Sequence, residues 1–83
     1  MPVLRTAGLL LAVTGAAHFA APAPFEAITK PLFPEDTADW VKRNGLTELA
    51  LGVAVALPKT RKAGLAGFAI YSGWLGKRAL DSL

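Results

Sequence analysis

Cysteine is absent from the 83 residues, which excludes disulfides, iron–sulfur clusters, thiolate zinc sites and covalently attached c-type haem. A single histidine leaves no bis-histidine haem and no three-histidine zinc site. Charge is also scarce: Asp, Glu, Lys and Arg make up 18% of the chain, against 53% hydrophobic residues. No phosphate-cradling glycine loop, nucleophile–base pair or general-acid pair is present, and Ser72 has no candidate base near it in sequence. The sequence therefore points to no catalytic residue and no metal site. No basic–aromatic surface suggests a nucleic-acid partner.

What is there suits lipid. A soluble domain this short leans on disulfides, a metal or oligomerisation, whereas a mean hydropathy of +0.41 is ordinary for a small membrane protein. From Thr6 to Phe25 the only ionisable side chain is His18, and 20 helical residues span about 30 Å, the thickness of a hydrocarbon core. Charges cluster from Glu26 to Arg43, vanish except for Glu48 until Lys59, and vanish again from Ala63 to Gly76. The pattern predicts an all-α integral membrane bundle forming a single domain over residues 1–83. Three transmembrane helices are expected at about 4–22, 38–57 and 61–80, with an interfacial segment at 24–33. Lys42, Arg43, Lys77 and Arg78 would snorkel to the headgroups. The rival arrangement is one span with a docked helical pair. A signal peptide is the other reading of the first segment, but Pro24 after Ala21-Pro22-Ala23 is a poor processing site, so the segment is expected to be retained.

Small residues mark the expected packing faces. Gly8, Ala12 and Ala16 recur every fourth residue in the first helix; Gly45, Gly52 and Ala56 share a face of the second; Gly64 and Gly67 open the third. In lipid such stripes let backbones approach closely. Phe25, Ile28 and Leu32 form an apolar stripe beside Glu26 and Lys30, as in a helix lying in the headgroup plane. Trp40, Tyr71 and Trp74 are placed at the membrane interface, where amphipathic aromatic rings concentrate. The dense basic turn Lys59–Lys62 favours an N-terminus on the inside, and a pI near 9.7 suits anionic headgroups.

His18 and Glu48 are the only ionisable groups deep in apolar segments. Charged groups there are costly and normally find a partner on another helix, and antiparallel helices bring the two to similar depths. The pair either locks the first helix on the second or serves a proton or quinone site.

The run Gly15-Ala-Ala-His18-Phe19 with Pro22 or Pro24 after it, then Gly45-x-x-Glu48-x-x-x-Gly52, then Pro58-x-Thr60-Arg61, resembles the DoxX-like family of small integral membrane proteins. The resemblance covers residues 8 to 64. It implies a four-helix bundle, so the fourth helix of the family pattern is missing here and one packing face is left for a partner. It also implies that His18 and Glu48 are a shared polar pair. Some members resemble membrane subunits of thiosulfate:quinone oxidoreductases. The function expected is a non-enzymatic accessory subunit on a larger membrane complex, a respiratory or other redox assembly, in a bacterial cytoplasmic membrane. No cofactor of its own is expected beyond a quinone or lipid at the interface. The alternatives are a quinone-linked redox component using His18 and Glu48, or a homo-oligomeric transporter with Glu48 as its coupling carboxylate.

Overall fold

Prolines and two polar turns divide the chain into helices. The computed structural model describes Pro2–Leu83; it is all-α, with four helices accounting for 83% of it. Helix α1 spans Pro2–Ala20 and stops at Ala21 (φ −141°, ψ 73°). Pro22 and Pro24 then fall in the first turn of α2, Pro22–Thr29, where a missing N–H costs nothing. This short helix therefore begins two residues before the expected 24–33 segment and ends four residues before it. Past Thr29 the chain closes in turns, with the N–H groups of Leu32 and Phe33 donating to the Thr29 carbonyl.

Helix α3, Thr37–Ala56, starts from Asp36 in the left-handed region (φ 55°), which aspartate tolerates better than most residues. The Asp36 carboxylate caps nothing; the Thr37 hydroxyl instead donates to the Phe33 carbonyl at 2.6 Å. Pro58 follows the far end. There the Thr60 hydroxyl donates to the Ala54 carbonyl at 2.8 Å, and the Arg61 guanidinium donates to Val55 and Ala56 at 2.8 and 3.0 Å. These are carbonyls that a helix leaves unpaired at its C-terminus. The Thr60-Arg61 pair thus caps α3 while opening α4, Arg61–Asp81.

α3 is the central helix, with α1 and α4 antiparallel to it and, among the described residues, no packing between those two. With α2 the molecule measures 37 × 27 × 16 Å. α2 crosses one end and packs on α3 and α1.

The α1–α3 seam brings backbone against backbone. A Cβ built on Gly52 would lie 2.5 Å from the Gly8 carbonyl oxygen and 2.7 Å from the Ala12 Cα. One built on Gly15 would lie 2.5 Å from the Gly45 carbonyl oxygen. Gly8, Ala12 and Gly15 are buried on α1, facing Gly45, Gly52 and Ala56 on α3. Ala16, expected in this stripe, is exposed. A strict four-residue step drifts around a helix of 3.6 residues per turn, whereas the 4-then-3 step to Gly15 returns to the Gly8 face. On α4, Gly64 is buried against Ala54 and Val55, and Gly67 approaches Leu51, while Gly73 and Gly76 face open space.

Among the described residues, only α1 is long and apolar enough to cross a membrane by length and composition. α3 carries Asp39, Lys42, Arg43 and Glu48, and α4 has basic residues near both ends, so neither meets that test.

The seam predicts opposite outcomes for two glycine-to-alanine changes. Gly52→Ala meets backbone that cannot give way and is expected to lose about 1–3 kcal/mol. Gly73→Ala meets nothing and should gain up to about 1 kcal/mol of helix propensity. Helicity followed by circular dichroism during denaturant titration in micelles distinguishes them.

Candidate polar site beneath the short helix

Where α2 crosses the long helices, four helices bring polar side chains to one point. His18 is buried near the end of α1. Its Nδ1 lies 2.8 Å from the Thr14 carbonyl oxygen, and because a carbonyl only accepts, Nδ1 carries a proton. Nε2 points to Glu48 Oε2, 3.6 Å away, beyond good hydrogen-bond length. Phe25 of α2 stacks on the imidazole, with centroids 3.8 Å apart and planes inclined by 22°. His18 holds its place because Gly45 lies directly beneath it: a Cβ there would sit 2.5 Å from the His18 Cβ.

Glu48 has a second partner. The Tyr71 hydroxyl of α4 donates to Oε2 at 3.0 Å, giving a chain that runs from the Thr14 carbonyl through His18 and Glu48 to Tyr71. Every long helix contributes to it. Buried polar networks of this kind fix the relative positions of the elements that carry them.

Beside this chain an aromatic cluster closes the end of the molecule. Phe33, only 1% exposed, stacks on Trp40 at 4.5 Å and meets Trp74 at 5.6 Å. The Arg78 guanidinium sits 4.3 Å from the Phe33 centroid and donates to the Leu32 carbonyl at 3.1 Å. Arg43 lies over Trp40 at 4.9 Å. The Arg78–Phe33 cation–π contact ties the α2–α3 connection to the end of α4.

The sequence reading brought His18 and Glu48 to similar depth, and the structure places them side by side. Tyr71 differs from its expected role as an interfacial ring, because its hydroxyl is bound to Glu48. Trp40 and Trp74 pack around Phe33; Ile28 is 71% exposed, whereas Phe25 is half-buried on His18. Tyr71 and Arg78 were missed as structural partners, although a signal existed. Glu48 and Tyr71 lie equally far on either side of the junction between Lys59 and Thr60, as do Val55 and Gly64, so an antiparallel pair turning there must bring them together.

Between the polar chain and α2 lies a pocket of about 240 Å³, lined by His18, Glu48, Tyr71, Asn44 and Thr29 and walled by Phe25, Phe33, Leu32 and Leu75. Among the described residues, no group of three His, Cys, Asp or Glu side chains comes together to hold a metal ion.

A family model for a domain of unknown function, DUF8561, matches residues 7–76. No curated protein and no solved structure matches the chain.

If the Tyr71 bond holds α4 against α3, Tyr71→Phe is expected to cost about 1–3 kcal/mol by leaving the buried carboxyl short of a donor. A double-mutant cycle with Glu48→Gln in the same denaturation assay should give a non-zero coupling. Additive effects would mean that the two side chains do not interact.

Proposed function

We propose that this chain, which belongs to the DUF8561 family, is a three-span membrane protein acting as a non-catalytic accessory subunit of a larger membrane assembly. The observation that carries this reading is an imbalance in apolar surface. Among the described residues, five hydrophobic ones are buried, two of them alanines, while fifteen large ones are exposed. A chain of this size cannot gain enough from such a core to fold alone in water. The exposed set runs along both outer helices: Val3, Leu9, Leu10, Val13 and Phe19 on α1, and Leu65, Phe68, Ile70 and Leu80 on α4. A monomer in water rarely leaves contiguous apolar patches of that extent uncovered.

Helix length supports the same disposition. At 19, 20 and 21 residues, the long helices measure about 30 Å each, one hydrocarbon thickness. Lys77 near the end of α4 and Lys62 at its start fall where basic side chains reach headgroups. Glu48 is shielded from lipid by His18 and Tyr71, as an intramembrane carboxylate requires.

Three long helices cannot enclose a transport path and carry no catalytic constellation, which favours docking on other subunits. Following the resemblance to the DoxX-like family, we read that assembly as a redox complex in a bacterial cytoplasmic membrane, and the dense basic turn Lys59–Lys62 favours an N-terminus on the inside.

The test is gentle extraction of tagged protein from its native membrane, followed by native electrophoresis and mass spectrometry of the migrating species. Co-migration with larger integral subunits is the expected result. Recovery in the soluble fraction contradicts the membrane reading, and migration only as a small homo-oligomer contradicts the accessory role.

A further inference from the structure

We propose that the pocket beneath α2 binds a small neutral ring carrying a hydroxyl group, a single-ring phenol. The inference rests on the pocket itself and goes beyond the accessory role.

The first support is polar capacity left unused. Asn44 is 6% exposed and lines the pocket, yet its amide makes no side-chain hydrogen bond among the described residues. The Thr29 hydroxyl, on a residue 8% exposed, is in the same position. Neither is sealed inside protein, because every fully buried polar side-chain atom among the described residues has a partner; both reach the pocket space. Glu48 adds a third group. Its Oε2 is taken by Tyr71 and faces His18, while Oε1 accepts from no described residue. An amide, a hydroxyl and a carboxyl oxygen with hydrogen-bonding capacity to spare thus converge on one space.

The second support is the character of the walls. Phe25 and Phe33 present rings, and Leu32 and Leu75 complete an apolar lining of the kind that buries most of a ligand's surface. Drug-sized ligands occupy roughly 300–1,000 Å³, so about 240 Å³ suits a single ring.

Charge completes the assignment. No Lys or Arg lines the pocket and its carboxyl already has His18 and Tyr71 beside it, so an ionic ligand would enter as an unpaired charge in a largely apolar space. A neutral hydroxyl suits it better: the O–H donates to Glu48 Oε1, and the oxygen accepts from the Asn44 amide. An ether of the same shape lacks the donor.

The full chain in lipid nanodiscs is titrated with 4-(trifluoromethyl)phenol and, separately, with its methyl ether, reading the fluorine NMR shift against empty nanodiscs. Saturable binding of the phenol is expected, about tenfold or more tighter than the ether. The same order of loss is expected for the phenol with Asn44→Leu, whose fold is checked by circular dichroism. Equal, non-saturating shifts for both compounds, matching empty nanodiscs, would overturn the proposal and leave the membrane reading untouched. Conversely, saturable binding by protein that alkaline washing strips from native membranes would overturn the membrane reading alone.

Discussion

The contact of the α1 and α3 backbones across Gly8, Gly15, Gly45 and Gly52 is the constraint on which the rest of this structure depends. Where a Cβ would fall within 2.5 Å of a facing carbonyl oxygen, no side chain can be accommodated, and the helices are held by packing that only glycine permits. Such packing needs no large apolar core. It explains how a chain with so few buried hydrophobic side chains keeps a defined arrangement.

The same contact makes the polar site. His18 reaches Glu48 because Gly45 offers no side chain beneath it, and Glu48 reaches Tyr71 because α4 turns back along α3 after the Thr60-Arg61 cap. Local sequence thus sets two registers, and both meet at one carboxylate. The arrangement that results leaves the outer faces of α1 and α4 apolar and open. Three polar residues, His18, Thr29 and Asn44, are buried beside five hydrophobic ones, while large apolar side chains stand exposed along both outer helices.

Much of this was legible from residue spacing. Gaps between charges and the positions of Pro34 and Pro58 put the long helices at 4–22, 38–57 and 61–80, against Pro2–Ala20, Thr37–Ala56 and Arg61–Asp81 in the structure. The stripe of Gly45, Gly52 and Ala56 on α3 was readable because its step of seven returns to the same face. Ala16 misled because alanine is abundant and a strict four-residue step does not follow a straight helix. The partner of Glu48 on α4 was not read, since Tyr71 was grouped with Trp74 as an interfacial ring, although it lies at the middle of α4. Pairing across the basic turn would have found it. Phe33 was hidden for another reason: it lies in an irregular connection, where no periodicity marks a residue as buried, and its partners Trp40, Trp74 and Arg78 come from two different helices.

The most direct test of the seam is the proton-proton Overhauser spectrum of the isotope-labelled chain in micelles or nanodiscs. Helices whose backbones touch should show cross-peaks from the Gly52 Hα protons to those of Gly8 and Ala12, and from Gly15 to Gly45 and Leu49. A fully helical chain lacking every one of these would mean that α1 and α3 are not joined at their backbones, and that the site built on their register does not form as described.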